Sequence, residues 1–154
     1  QIIFSLNNLE HRDKKVAEDQ IVIRRSSEII HGLRNIIQNA TDFSKKDVFI
    51  DISWSSTDIK ISIKDDGPGF PEGLISKIGE PFIKSKINGS LIDSSRPEYE
   101  SMGLGLFIAK TLLERSGAAL VFKNYCIKDD DNLSSGAEVI SVWKRKVFEE
   151  TWSK

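Results

Sequence analysis

Asn35 and Asn39 stand four residues apart in the run Asn35-Ile36-Ile37-Gln38-Asn39-Ala40, which has helical periodicity. Residues four apart stack on one helix face, so the two amides would project together. An amide oxygen is a hard, neutral ligand suited to Mg²⁺ that already carries phosphate oxygens. An amide nitrogen can donate to a phosphate or ribose oxygen. Further along, Asp65-Asp66-Gly67-Pro68-Gly69-Phe70 places a carboxylate at the end of a strand pattern and two glycines in the turn that follows. That carboxylate can accept the exocyclic amine of a base, and the glycines let backbone approach a flat ring. Gly103-Leu104-Gly105-Leu106 then opens another helical pattern. Glycines at a helix start would leave N–H groups and the positive dipole end free for a phosphate. Each element has an ordinary alternative: two solvated amides, an Asp-Gly turn leaving a strand, or flexible entry into a helix. In this order, however, the Asn pair, the DxGxG turn and the GxG segment describe a nucleotide pocket.

Other nucleotide sites do not fit. No GxxxxGK[ST] loop occurs, and no GxGxxG follows a strand near the start. At 154 residues the chain suits one domain with a sizeable core. Its net charge of −1 gives no reason to expect bulk electrostatic attraction to nucleic acid or membrane. No apolar run reaches transmembrane length and no signal-peptide pattern opens the chain. The single cysteine, Cys126, rules out an internal disulfide and reads as a small strand residue. The start at Gln1, without methionine, suggests a piece of a longer protein. Three Asn-x-Ser/Thr triplets, at Asn39, Asn88 and Asn132, read as chance in the absence of a secretory signal.

The elements that must position these groups follow from patterning. Ile2 to Leu6 and Gln20 to Arg24 are short β-rich runs, separated by polar residues, and suggest a hairpin or two edge strands. Ser26 or Ser27 can cap a helix from about Glu28 to Phe43. Its apolar stripe is Ile29, Leu33, Ile36 and Ala40, with His31, Asn35, Gln38, Asn39 and Asp42 opposite. Val48, Ile50, Ile52 and Trp54 alternate with polar residues, as do Ile59, Ile61 and Ile63, with only Ser55 to Thr57 between, so the two strands form an antiparallel pair. The second alternation carries Asp65 onto the core-facing side, where a carboxylate requires a donor. Pro71 to Ile78 suggests a short helix. Gly79 to Met102 has no sustained period and reads as a lid or as disorder. Gly103 to Ser116 reads as a helix with Leu104, Phe107, Ile108, Thr111 and Leu112 on one side, capped by Gly117. Ala118 to Asn124 and Ala137 to Trp143 are the last strands, with a polar turn over Asp129 to Ser135 and a frayed end from Thr151.

In order and spacing these residues resemble the ATP-binding catalytic domain of bacterial sensor histidine kinases, within the superfamily of gyrase, heat-shock-90, histidine kinase and MutL ATPases. His31-x-x-x-Asn35-x-x-x-Asn39-Ala40 is similar to the N box, and Asp65-x-Gly67-x-Gly69 to the G1 box. Glu80-Pro81-Phe82 with Lys86 resembles the F box, Gly103-Leu104-Gly105-Leu106 the G2 box, and Gly136-Ala137 the terminal glycine motif. The stretch Leu106 to Gly117 looks most like the RegB/ActS redox-sensor kinases. The resemblance implies Asn39 as the Mg²⁺ ligand and Asn35 facing the phosphates, as the residue nearest to a catalytic role. It implies Phe43 at the base pocket and Asp65 reading adenine, with Gly67 and Gly69 beneath it. An ATP lid would span about 79–102, with Phe82 and Lys86 at its base, and Gly103, Leu104, Gly105 and Leu106 would meet the phosphates. The implied fold is α+β: a two-layer α/β sandwich of the Bergerat type, its mixed, mainly antiparallel sheet covered by helices on one face. It would be one domain over 1–154 with its core at 26–143.

The implied activity is that of a protein-histidine kinase. It would bind Mg-ATP and pass the γ-phosphoryl group to a histidine on a dimerisation domain absent from this chain. The implied partners are those dimerisation helices, in a full-length homodimer, and a response regulator. Nucleic acid is not among them, and membrane enters only through segments outside this chain. The implied location is a cytoplasmic domain of a protein anchored in the bacterial inner membrane. His11 lacks the Pro-Leu that follows an acceptor histidine, and His31 lies within the N box. Asn35 occupies the position where hydrolytic relatives place a Glu, and an amide cannot act as a general base. Transfer, which rests on positioning and charge stabilisation, is therefore favoured over fast hydrolysis. Three positions depart from the family pattern: Asp42 where a basic residue is frequent, Ser101 in place of a glycine, and Gly79 in place of a phenylalanine. An anti-sigma-type serine kinase of the same fold and a non-catalytic nucleotide-binding module are the alternatives.

Overall fold

The computed structural model describes residues 1–8, 25–71, 73, 75–78, 98–129 and 132–149, with backbone alone at 7–8, 77, 98–103, 127–129, 132–134 and 148–149. The strand expected at Gln20 to Arg24 lies outside the described residues, as do Phe82 and Lys86.

Alternation in the strands builds a five-stranded sheet: β1 (Ile2–Asn8), β2 (Val48–Trp54), β3 (Asp58–Asp65), β4 (Ala118–Asp129) and β5 (Asn132–Lys144). Its order is β1-β2-β3-β5-β4, with β1 parallel to β2 and every other neighbour antiparallel. The β2–β3 register matches Ile50 with Ile63, Ile52 with Ile61 and Trp54 with Ile59. The β3–β5 register matches Ile63 with Val139 and Ile59 with Trp143. Because strand side chains alternate, one register-matched set forms a continuous apolar face.

Two helices cover that face. Helix α1 (Ser27–Phe43) begins at Ser26, whose Oγ accepts the Ile29 N–H, satisfying one of the donors that a helix start leaves free. Helix α2 (Glu98–Arg115) ends at Gly117, held at φ +89°. The short α3 (Lys146–Glu149) follows β5. Ile36 and Ala40 of α1 and Leu106, Ala109 and Leu113 of α2 join Val48, Ile50, Ile63, Val139 and Trp143 in one buried cluster. This is the two-layer α+β arrangement that the resemblance implies.

The helices run antiparallel at close approach. A β-carbon on Gly32 would lie 2.5 Å from Leu113 Cγ, and one on Gly105 would lie 2.9 Å from Asn39 Nδ2. At the far end the Trp143 indole donates to Ser116 Oγ at 2.9 Å, and that hydroxyl donates to the Leu113 carbonyl at 2.6 Å, fixing the end of α2 on β5.

Several expectations need correction. Helix α2 begins at Glu98, five residues before Gly103, so Gly103-Leu104-Gly105-Leu106 lies inside the helix. Glu98 and Glu100 near the positive dipole end, with Pro97 just ahead in sequence, make an earlier start favourable. The buried stripe of α2 is Leu106, Ala109 and Leu113, whereas Leu104 and Ile108 are exposed. This helix is apolar on several sides, so periodicity alone did not select the face that α1 meets. Among the described residues of Pro71 to Ile78 the helical element is a 3₁₀ turn, Ile75–Lys77, and Gly73 at φ +78° is not helical. The polar stretch Asp129 to Ser135 is mostly ladder, with pairing continuing to Asp129 opposite Asn132.

Gly32 yields a stability prediction. Valine there must displace the buried Leu113 side chain, and overpacking of this kind costs about 1–3 kcal/mol. The gain in helix propensity over glycine is a fraction of about 1 kcal/mol. Gly32→Val should therefore lower the urea midpoint by the equivalent of about 2 kcal/mol, and an unchanged midpoint would show that the helices are not in close contact there.

Candidate functional site

Where α1, α2, β3 and β5 converge, one pocket is lined by Ile36, Asn39, Ala40, Phe43, Ile63, Asp65, Gly69, Phe70, Leu106, Ala137 and Val139. Its floor is the apolar face of the sheet and its sides are the two helices. The polar side chains that reach it, Asn39 and Asp65, are the two singled out from sequence together with Asn35.

Asp65 ends the inward alternation of β3 and is only 5% exposed. Its Oδ1 accepts the Gly67 N–H at 2.9 Å and the Ala137 N–H at 3.3 Å. Both bonds use one oxygen, so among the described residues Oδ2 is left uncommitted beside the pocket. Burial pushes the Asp65 carboxyl above its usual value, the backbone bonds from Gly67 and Ala137 oppose the shift, and the neighbouring Asp66 adds to it. Asp66 behaves differently. Burial raises its pKa, but backbone donors at Lys46, Asp47 and Lys45 outweigh this and hold it below the ordinary range. Its Oδ1 accepts the Lys45 and Lys46 N–H groups at 2.8 and 3.0 Å, pinning the α1–β2 connection against the turn. Gly67 is required by crowding, since a β-carbon there would collide with the Phe43 carbonyl at the end of α1.

On α1 both asparagines are oriented by their own helix. Asn35 Nδ2 donates to the His31 carbonyl at 2.9 Å, and Asn39 Nδ2 to the Asn35 carbonyl at 2.8 Å. With the nitrogens turned back along the helix, the amide oxygens are the groups left to present outward. Asn39 enters the pocket lining, while Asn35 sits one turn earlier and outside it. The polar side of α1 thus divides: His31, Gln38 and Asp42 are exposed, and the two asparagines flank the α2 contact, half-buried. Asp42 accepts from Gln38 Nε2 at 2.7 Å.

The glycine-rich segment of α2 contributes unevenly. Leu106 is buried against the pocket, and Gly105 lies against Asn39. Leu104 is 51% exposed and outside the lining, and Gly103 belongs to the helical backbone. Interior helix amides are taken up by the i→i−4 ladder, so these glycines do not form a free N–H cradle, and Gly105 instead serves close packing against Asn39. Among the described residues, no three His, Cys, Asp or Glu side chains group into a metal site.

Two residues that sequence reasoning missed contact the Asp65–Phe70 turn. Asn124 Oδ1 accepts the Phe70 N–H at 2.7 Å, and its Nδ2 donates to the Phe70 carbonyl at 3.0 Å. The Tyr125 hydroxyl donates to the Asp65 carbonyl at 2.8 Å. A signal was present: Asn124 continues the phase of Ala118, Leu120 and Phe122 on the helix-covered side, a polar residue at the exposed end of an apolar row.

The Asp65 environment sets the sign of a pH effect. A carboxyl whose folded pKa is raised stabilises the fold fully below its unfolded pKa and loses that contribution as pH rises through the folded value. Asparagine keeps an acceptor for Gly67 and Ala137 without the buried charge. Asp65→Asn should thus be at least as stable as the parent at neutral pH, with the difference closing on acidification. Urea unfolding at a series of pH values checks this, and a variant that is markedly weaker at pH 7 would contradict it.

Comparison with known proteins gives the family. A profile of the family described as histidine kinase-, DNA gyrase B- and HSP90-like ATPase matches residues 25–145. The chain is 56% identical to the sensor histidine kinase RegB of Cereibacter sphaeroides over 107 residues, 70% of this chain and 23% of that protein. It is 31% identical to the sensor histidine kinase WalK of Bacillus subtilis over 117 residues, 73% of this chain and 17% of that protein. The chain therefore spans less than a quarter of the length of either relative. Among solved structures, the mycobacterial sensor histidine kinase MprB superposes with a TM-score of 0.55 at 21% identity, covering 93% of this chain and 83% of that one. Full-length ShkA in complex with AMPPNP gives 0.58 at 20% identity, covering 92% of this chain and 25% of that one. A nucleotide-free catalytic domain of histidine kinase ThkA gives 0.55 at 23% identity, covering 94% and 80%. These structures share the fold, and the profile spans most of the chain, pocket included: the chain belongs to the family of histidine kinase-, DNA gyrase B- and HSP90-like ATPases.

Proposed function

We propose that this chain is the catalytic ATP-binding domain of a sensor histidine kinase, presenting Mg-ATP for phosphoryl transfer to a histidine outside the chain. The observation that carries the reading is the convergence of Asn39 and Asp65, 26 positions apart in sequence (65 − 39), on one apolar-walled pocket. A flat, largely apolar base suits walls made by Ile36, Phe43, Ile63 and Val139. The uncommitted Asp65 oxygen supplies an acceptor for an exocyclic amine, which adenine has at the position where guanine carries a carbonyl. Phosphates would then extend along α2 past Gly105 toward Asn39 and Asn35, with Lys86 and Phe82 at the base of a lid formed by the segment ahead of α2.

Magnesium suits the donor set. Asn39 offers a neutral amide oxygen whose partner nitrogen is already anchored, and the described residues hold no acidic cage that would bind the ion without nucleotide. When bound, Mg²⁺ would neutralise phosphate charge. The chain's own residues orient: Asn39 and Asn35 fix the polar edge, Asp65 fixes the base, and Leu106 excludes water from the pocket. Asn35, at the polar edge, is an amide and cannot serve as a general base for water. Slow hydrolysis and efficient delivery to a positioned acceptor follow. The acceptor would sit on the dimerisation helices of the full-length homodimer, which would pass the phosphoryl group to a response regulator. No described helix is long and apolar enough to cross a membrane, so attachment to the inner membrane would use other segments, leaving this domain in the cytoplasm.

Titration with labelled ATP, with and without Mg²⁺, tests the reading. The domain should bind ATP in a Mg²⁺-dependent manner, prefer it to GTP, and hydrolyse it slowly. Asn39→Ala should remove most of the Mg²⁺-dependent gain, about 10–100-fold, as expected for one charge-assisted contact. Asp65→Asn should reduce ATP affinity by a similar factor of about 10–100 and abolish the preference over GTP. Equal affinity of the parent for ATP and GTP would remove Asp65 from the proposed role, and rapid hydrolysis would contradict the one given to Asn35.

A further inference from the structure

The turn to Phe70 leaves the sheet after Asp65 pairs with Val48, and Asp65 and Phe70 are both buried. Buried backbone groups need partners. Part of the answer comes from β4, which is not adjacent to β3: β5 lies between them. Asn124 and Tyr125 are consecutive on β4, so their side chains point to opposite faces of the sheet. They pair with Ala137 and Gly136, two of the smallest residues possible, on the intervening strand. Across Ala137, on the helix-covered face, the Asn124 amide offers an acceptor to the Phe70 N–H and a donor to its carbonyl, imitating one rung of a ladder. Across Gly136, on the open face, the Tyr125 hydroxyl reaches the Asp65 carbonyl. Any side chain at position 136 would block that reach, since its β-carbon would collide with the same carbonyl. The turn is cut to match: Gly69, at φ +83°, leaves the space that Asn124 Oδ1 fills, 2.8 Å from where a β-carbon would stand.

We propose that Asn124 and Tyr125 are positioning residues that grip the two ends of the Asp65–Phe70 turn from opposite faces of the sheet and so set where the Asp65 carboxylate meets the base. This rests on the reading of the pocket as an adenine site. Neither residue need touch nucleotide: Asn124 acts through Phe70 and Gly69, Tyr125 through the Asp65 backbone. Each bond is local, so its loss should loosen the turn and leave the β3–β5 ladder intact.

The test uses Asn124→Ala, Asn124→Asp and Tyr125→Phe with two readouts: amide hydrogen exchange without ligand, and affinity for ATP and GTP. In Asn124→Ala the Phe70 amide should exchange faster while Val139 in β5 keeps its protection. ATP affinity should fall by about tenfold, a loss suited to a misplaced hydrogen-bond acceptor, and the preference over GTP should shrink with it. Asn124→Asp, which retains the acceptor for the Phe70 N–H and loses the donor, should fall between. Tyr125→Phe removes a single oxygen and should show a smaller loss, about threefold. It also carries the test if Asn124→Ala does not fold. Variants that lower the unfolding midpoint but keep the parent's ATP affinity and base preference would overturn the proposal, as would unchanged Phe70 exchange. If the parent itself fails to bind ATP, the adenine reading is what fails, and the grip on the turn then stands or falls on the exchange of Phe70 alone.

Discussion

A carboxylate can occupy the packing face of a sheet only where donors replace water, and Asp65 sets that condition for everything around it. Its phase on β3 puts it beside isoleucines. The Gly67 and Ala137 N–H groups make this tolerable by sharing one oxygen. To supply the first donor the chain must turn at once, which demands glycine under the Phe43 carbonyl. To supply the second, β5 must come close to the end of β3, which demands glycine at position 136. The two glycine segments therefore follow from one buried charge. The two bonds leave Oδ2 over, and burial still holds the carboxyl above its usual value.

The second constraint is the spacing of the helices. Small residues bring α1 and α2 together at both ends of their contact, Gly32 against Leu113 and Gly105 against Asn39. Asn39 is thereby held half-buried at the rim of an apolar cleft rather than left in solvent. A bulkier residue at position 105 would push it away, so packing and polar geometry are decided by the same contact.

Much of this was legible because the signals were local. The alternation Ile59, Ile61, Ile63 fixed the face of Asp65 without reference to any other strand, and the pair Ser26 and Ser27 marked the start of α1, with Ser26 the one that caps it. Other features depended on what each element meets. Helix α2 carries leucine or isoleucine on several sides, and only the approach of α1 selects Leu106, Ala109 and Leu113 as the buried stripe. Its start was misread because the glycines resemble a helix entrance, while Glu98 to Met102 lack an apolar period of their own. Asn124 and Tyr125 bond across 54 and 60 positions of sequence, a separation that no periodicity encodes. The polar interruption at Asn124 was visible, but its partner was not.

Behind the pocket floor lies a different arrangement. Glu138, on the uncovered side of the sheet yet only 5% exposed, accepts the Ser62 hydroxyl at 2.7 Å and lies 3.0 Å from the Lys123 ammonium and 3.7 Å from that of Lys64. Burial pushes its carboxyl up, but these partners outweigh it and hold the group ionised below the usual glutamate range. The cluster rivets three strands, β3, β5 and β4, directly beneath Asp65 and Ala137. Helix α2, by contrast, is tied to the sheet by described hydrogen bonds only at its far end, through Ser116 and Trp143. The sheet wall of the cleft is thus cross-braced by charge from its uncovered side, whereas the α2 wall is held along its length by the apolar packing of Leu106, Ala109 and Leu113.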